Sequence, residues 1–305
     1  MENVNVKNVK EDKTEVRITV IDWGNMNVKF WGADAKGSFN SRISNDYQSY
    51  EEGFERIELD GRTTYFEIGE LQKEFNKCAK DYLPQLLYAI CRANNKEDFI
   101  CTHLTLLLPT VQMQNKTQLI DKLKNQEFTF QYNGKDRIVK IYDVMILPEG
   151  YISFFSLSSE DKRGSIAIVD IGSRTVNLAV LISGKIEKLN TIKLGSYDFY
   201  SKIKNIENSK GEDYVEEDME RLINEHIVKV YQKQYAEFLN EIMNSIKPYV
   251  NLKTYKVIFT GGTSLMLQEY INKLPLPNFK IHENALNSNV IGAMEASKVT
   301  WGASA

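Results

Sequence analysis

Val20-Ile21-Asp22-Trp23-Gly24-Asn25-Met26-Asn27-Val28-Lys29 is nearly repeated 148 residues later as Ile168-Val169-Asp170-Ile171-Gly172-Ser173-Arg174-Thr175-Val176-Asn177. Each stretch reads as a strand that delivers an aspartate to a tight polar turn, with a second strand leading away. The β-branched residues ahead of Asp22 and Asp170 favour extended backbone, and the glycine that follows lets the chain turn sharply beside a ligand. Two such turns facing each other can grip the phosphates of a nucleotide from both sides.

The rest of the chain is compatible with that reading. At 305 residues it can build two medium domains with substantial cores. Lys and Arg total 38 against 41 Asp and Glu, a formal charge of -3. There is thus no global basic field for nucleic-acid phosphates, and direct nucleic-acid binding is not expected. Cys78, Cys91 and Cys101 are odd in number and lack the close pairing of metal or redox motifs, which fits a reducing cytoplasm. No apolar run approaches the roughly 20 residues that cross a bilayer, and residues 1–15 lack the apolar centre of a signal peptide. Those first residues are expected to form a flexible arm.

Between the two hairpins, residues 33–95 read as a small variable subdomain that re-enters strand chemistry at Thr63–Ile68. Apolar residues from Leu71 to Ile90 keep the helical period, predicting a helix over Glu70–Arg92 with a kink or break at Pro84. Phe99–Leu108 reads as a strand stopped by Pro109, and Lys116–Lys124 as a short helix. Asn133-Gly134 marks a hairpin between Phe128–Tyr132 and Arg137–Leu147, and Pro148-Glu149-Gly150 ends its second strand. In the second half, paired strands run to Leu194, and Ser209–Asp218 suits a surface connection. Val215–Tyr249 reads as largely helical, in one piece or two. Tyr255–Thr260 is a buried strand that runs into Gly261-Gly262-Thr263-Ser264, followed by helices over Leu265–Lys273 and Asn289–Lys298. Alternation of this kind implies an α/β chain.

Taken in order and spacing, Asp22-x-Gly24-Asn25-x-Asn27-x-Lys29, Pro148-Glu149-Gly150, Asp170-x-Gly172-Ser173-Arg174-Thr175 and Thr260-Gly261-Gly262-Thr263-Ser264 resemble the motifs of the actin-like ATPases. Within them the chain is most similar to the bacterial plasmid-partition actins of the ParM type, over roughly residues 16–298. The resemblance implies an α/β, actin-like two-domain fold, each domain a mixed sheet flanked by helices, with the nucleotide in the interdomain cleft. It divides the chain into domain I (16–162), domain II (163–284) and a C-terminal helix and tail (285–305) that return to domain I. It also implies ATP or GTP with Mg²⁺, and a filament-forming hydrolase that drives plasmid DNA segregation. The partners would be further copies of the chain and a DNA-binding adaptor, with no membrane.

Asp22 and Asp170 are suited to hold Mg²⁺ through its waters, because a bare carboxylate beside a triphosphate would repel it. Gly24, Asn25, Gly172, Ser173 and Arg174 fall in turns whose backbone N–H groups and short side chains can wrap phosphate oxygens. Lys29 adds a point charge for a β- or γ-phosphate, and Asn27, Thr175 and Asn177 add neutral donors. Gly261 and Gly262 permit a flat surface near a purine or ribose, and Thr263 or Ser264 can cap the next helix. The resemblance makes Glu149 the carboxylate that orients the attacking water, so Glu149 and Asp170 are the expected catalytic pair. By the resemblance, Ser173 stands where relatives commonly have a further glycine and Asn177 where many have an aspartate, changes that would reduce the acidic character around the metal or alter the groups that surround its ligands.

His103, His226 and His282 have no partner spacing for zinc or a triad. Two rival functions use the same scaffold. A small-molecule kinase would need its own substrate base in the first domain, and none is legible beyond Glu149. A membrane-associated scaffold would need a basic amphipathic helix, which neither the N-terminal arm nor the short tail after Lys298 supplies.

Overall fold

The structure is a computed structural model that describes residues 15–71, 74–79 and 81–302. The expected arm over 1–15 therefore lies almost wholly outside the described residues, as does the end of the C-terminal tail.

Among the described residues the first sheet has nine strands: β1 (Arg17–Trp23), β2 (Asn27–Trp31), β3 (Lys36–Asn40), β4 (Ile43–Ser44), β5 (Arg56–Leu59), β6 (Arg62–Phe66), β7 (Phe99–Leu108), β8 (Gln126–Tyr132) and β9 (Lys135–Pro148). They lie in the order β3-β2-β1-β7-β9-β8-β5-β6-β4. The second sheet holds β10 (Ser165–Ile171), β11 (Val176–Ile182), β12 (Lys185–Ile192), β13 (Lys256–Thr260) and β14 (Phe279–Ile281), in the order β12-β11-β10-β13-β14. Both sheets are mixed. In each, a strand opens an antiparallel hairpin on one side and pairs parallel with a buried strand on the other: β1 with β2 and β7, β10 with β11 and β13.

The sequence repeat is therefore a structural repeat, and its register is the same in both copies. Asp22 sits opposite Lys29 and Asp170 opposite Asn177. The strands β7, β10 and β13 are buried almost throughout, in keeping with sequences rich in Val, Ile, Leu and Phe for strands covered on both faces.

Helices α1 (Leu83–Ala93) and α2 (Lys116–Leu123) pack on the first sheet, and α3 (Ser196–Asn208), α4 (Met219–Asn224), α5 (Gln232–Ile246), α6 (Gly262–Met266) and α7 (Gln268–Ile271) belong with the second. The last helix, α8 (Ser288–Trp301), packs on β1 and on the turn Tyr151–Ser156 that follows β9. Each sheet has its own apolar cluster, one built around Ile21, Phe66, Tyr88 and Leu106, the other around Val169, Phe199, Ile242 and Phe259. A third cluster joins α8 to Val20, Leu107 and Ile152.

Two expectations need correction, and the choice between one helix and two over Val215–Tyr249 falls to two. Among the described residues the helix predicted over Glu70–Arg92 is confined to α1: Pro84 stands in its first turn, where its missing N–H costs nothing, and a short 3₁₀ turn at Lys77–Ala79 precedes it. Residues 72, 73 and 80 of that prediction lie outside the described residues. The helical stretch Val215–Tyr249 is two helices, α4 and α5, parted by a turn in which His226 takes a positive φ of 60°. The helix placed at Leu265–Lys273 begins three residues earlier, at Gly262, and is broken into α6 and α7.

Candidate functional site

The turns of the two hairpins open onto one cleft of about 250 Å³. Its lining includes Asp22, Gly24, Asn25, Asn27, Lys29, Glu149, Asp170, Gly172, Ser173, Arg174, Thr175, Asn177, Gly261, Gly262 and Thr263. Every site residue read from the sequence is thus brought to one place, except Ser264, which is fully buried behind the lining and donates to the Thr260 carbonyl at 2.6 Å. Neither Thr263 nor Ser264 caps a helix: both lie inside α6, and Thr263 Oγ1 donates instead to the Gly172 carbonyl at 2.8 Å. That bond ties the second turn to the Gly261-Gly262 segment. Gly261 itself has φ of 87°, and a Cβ there would stand 2.6 Å from an Asp170 oxygen, so only glycine lets β13 pass this close to the aspartate.

Both turns are braced from behind. Ser41 donates through its hydroxyl to the Asn25 carbonyl and through its backbone N–H to the Met26 carbonyl at 2.8 Å. In the second turn, Gly172 N–H donates to the Thr175 carbonyl at 2.8 Å, and the first residues of α3 donate to the turn: Ser196 N–H to Gly172 at 3.3 Å and Tyr197 N–H to Ser173 at 2.9 Å. Carbonyls are thereby turned away from the cleft and the turns are held in one shape. Arg174 lays its guanidinium 3.5 Å over the Tyr197 ring. Its Nε and one Nη are buried with no hydrogen-bond partner.

The charged groups are distributed unequally. Asp22 has two cations near it, Lys29 Nζ at 3.9 Å and Lys77 Nζ at 3.6 Å. Asp170, by contrast, accepts one bond from Asn289 Nδ2 at 2.9 Å and faces the neutral Asn177 across its hairpin. Burial pushes the Asp170 carboxyl up to about 6; the Glu149 and Asp22 carboxylates push the same way, while the Asn289 bond and Lys29 oppose the rise.

Glu149 leaves β9 with its backbone N–H bonded to the Leu108 carbonyl at 2.9 Å. Its Oε1 accepts from Lys77 Nζ at 2.5 Å and its Oε2 from Asn177 Nδ2 at 3.1 Å. Asn177 is in turn fixed by Thr191, whose hydroxyl donates to Asn177 Oδ1 at 2.9 Å.

Two residues of this arrangement escaped the sequence reading. Lys77 fell in a stretch read as helix, where a lysine between apolar positions looks like a solvent-facing residue; Asn289 looked like the first residue of a helix. The amide oxygen of Asn289 accepts from Gly150 N–H at 3.1 Å and from Ser153 Oγ at 2.7 Å, so α8, the β9 exit and Asp170 meet at one side chain. The histidines stay out of the cleft: His282 bonds Ser156 at 3.0 Å and His103 stacks on Trp301.

A nucleotide and its metal fit this donor set. Two braced turns, Lys29, Lys77 and the partnerless guanidinium atoms of Arg174 offer hydrogen bonds to an anion, and glycine at 261 leaves room beside Asp170. Among the described residues no group of three or more His, Cys, Asp or Glu side chains forms a metal cage. Asp22 and Asp170 are the carboxylates that would hold Mg²⁺, which commonly takes one or two carboxylates together with phosphate oxygens.

Residues 20–151 match the family model described as Actin like proteins N terminal domain. No curated protein matches the chain in sequence. Among solved structures, an archaeal actin homolog, Ta0583, superposes with a TM-score of 0.77 at 14% identity, covering 92% of this chain and 99% of that one. A 15-stranded ParM filament from Clostridium botulinum gives 0.75 at 18% identity, covering 94% and 100%. The filament structure of AlfA from B. subtilis plasmid pLS32 gives 0.67 at 20% identity, covering 92% and 98%. Among the described residues no helix is long and apolar enough to cross a membrane.

Proposed function

We propose that this chain, whose fold is that of the actin-like proteins, is a cytoplasmic, nucleotide-dependent, filament-forming hydrolase of the ParM kind. The observation that carries the reading is the convergence of two structurally repeated turns, each headed by an aspartate, on one cleft that also receives Glu149 and the Gly261-Gly262 segment. On this reading the chain divides into domain I (16–162) and domain II (163–284), and α8 returns to domain I, in keeping with its packing on β1.

The turns at Gly24–Asn27 and Gly172–Thr175 would hold the phosphates of ATP or GTP through backbone N–H groups, with Lys29 as a point charge. Asp22 and Asp170 would hold Mg²⁺ together with the phosphates, and the ion would supply charge neutralisation at the terminal phosphate. Glu149 would orient the water that attacks the terminal phosphorus and take up its proton. Gly261, Gly262 and Thr263 would face the nucleoside, and Ser264 would support them from behind.

Assembly is supported by the likeness to filament structures of ParM and AlfA. In a filament the same two surfaces meet repeatedly without closing, and hydrolysis would weaken that contact. Plasmid DNA would be engaged through an adaptor, since the chain's net charge of -3 offers little to nucleic acid. The test is light scattering of the purified protein with Mg²⁺ and ATP or GTP, with phosphate release followed in parallel. Scattering that rises on nucleotide addition, and phosphate released without an added acceptor, are the expected results. Bound nucleotide with no scattering rise at high protein concentration removes the filament claim, and phosphate release that requires an acceptor favours a kinase.

A further inference from the structure

We infer that Lys77 is the residue that distinguishes a nucleoside triphosphate from a diphosphate in this cleft, an inference that rests on the nucleotide reading above. Its side chain is only 6% exposed, and a buried ammonium is tolerated only where it is paired. The pairing is to two carboxylates, Glu149 Oε1 just after β9 at 2.5 Å and Asp22 Oδ1 in β1 at 3.6 Å, with the Leu107 carbonyl accepting from the same ammonium at 3.3 Å. The backbone of the segment is pinned as well: Lys77 N–H donates to Gln112 Oε1 at 2.9 Å, and Gln112 Nε2 donates to the Phe75 carbonyl at 2.8 Å. The lysine is therefore delivered into the cleft by an irregular segment that is held open for it.

Both oxygens of Glu149 are engaged, one by Lys77 and one by Asn177. Each oxygen keeps a further lone pair, but water has to approach between these two donors, and the way widens when one of them withdraws. Asn177 is fixed within β11 and by Thr191, whereas the Lys77 ammonium ends a flexible four-carbon stem. The partner that moves is Lys77. A terminal phosphate supplies the anion that draws the ammonium off Glu149, and a diphosphate does not. With diphosphate bound, the Lys77–Glu149 pair closes again. The residue thus contributes affinity to the triphosphate alone and frees Glu149 in the same movement.

The experiment measures binding of adenosine and guanosine di- and triphosphates with Mg²⁺, using fluorescent analogues at protein concentrations below assembly, in the wild-type chain and in Lys77→Met. The expected result is a loss of roughly tenfold or more in triphosphate affinity with diphosphate affinity nearly unchanged, as befits one charge-assisted hydrogen bond. Because Lys77→Met leaves Glu149 buried without its cation, the double variant Lys77→Met/Glu149→Gln, which has no unpaired charge, is read for the same ratio. A triphosphate-to-diphosphate ratio equal to wild type in either folded variant overturns the inference while leaving the nucleotide site standing. A wild-type chain that binds none of the four nucleotides overturns the nucleotide reading and the inference together.

Discussion

Glu149 and Asp170 are both buried carboxylates in one cleft, yet their surroundings set them different tasks. Glu149 is 8% exposed and has a donor on each oxygen. If it positions and deprotonates water, Glu149→Ala should slow phosphate release by about 10²–10⁴-fold, the usual worth of general-base catalysis, while nucleotide affinity and assembly survive. Steady-state release at saturating nucleotide checks this, and an unchanged rate refutes the role. Asp170 has no cation comparably close and is held up to about 6 by burial. Its pKa is higher folded than unfolded, so the folded chain holds the proton more tightly. The carboxyl then costs nothing below its unfolded value of 3.8, and its penalty grows as pH rises through about 6, reaching on the order of 3 kcal/mol above that. Asp170→Asn should accordingly melt at a higher temperature than wild type near pH 7 in the absence of ligand, with the gap closing toward about pH 4. Melting curves across that range decide it; a variant less stable than wild type near neutrality would show that ionised Asp170 carries no such penalty.

At the scale of elements, the legible parts were those where hydrophobic period and punctuation coincide. β7 ends where Pro109 follows it, the β8–β9 hairpin turns at Asn133 and Gly134, both with positive φ, and each repeat motif is a strand, a polar turn and a second strand, as its spacing implies. The stretch before α1 failed because Cys78 and Tyr82 do pack against the first core, giving a helical period to a segment that is not a helix. Lys77 could not be found for the same reason: nothing in sequence says that a lysine in such a stretch points inward. Asn289 depends on how α8 is docked, and that docking turns on Gly292. A Cβ at Gly292 would lie 2.0 Å from the Ile152 carbonyl, so the helix approaches the Tyr151–Ser156 turn as closely as backbone allows. Gly292→Ala should push α8 outward, costing about 1–3 kcal/mol as overpacking does, and should carry Asn289, one turn away, off Asp170 and Gly150. Urea unfolding together with nucleotide binding reads both effects. Reduced stability with full nucleotide affinity would mean that Asn289 contributes nothing to the site.

For the whole molecule, two sheets with separate apolar clusters flank a cleft that is crossed by polar ties. One is Asn177 Nδ2 to Glu149 Oε2; another is the Lys193 ammonium, 4.5 Å over the Phe75 ring. Polar ties of this kind can break and re-form as one half moves as a rigid body against the other. A nucleotide gripped by both turns would replace these ties with stronger ones, so closure should be set by ligand when ligand is present and by the ties when it is absent. Asn177→Ala removes the hydrogen-bonded tie without adding bulk or charge. Small-angle scattering of the nucleotide-free monomer should then give a larger radius of gyration than wild type, measured against about 19 Å for a compact chain of 305 residues. With saturating Mg²⁺ and triphosphate the two should become indistinguishable. The same variant should need a higher protein concentration to assemble, because a subunit that samples open forms meets its neighbours in the filament-competent shape less often. Equal radii without nucleotide would mean that the other contacts between the halves, rather than the Asn177–Glu149 bond, keep the cleft closed.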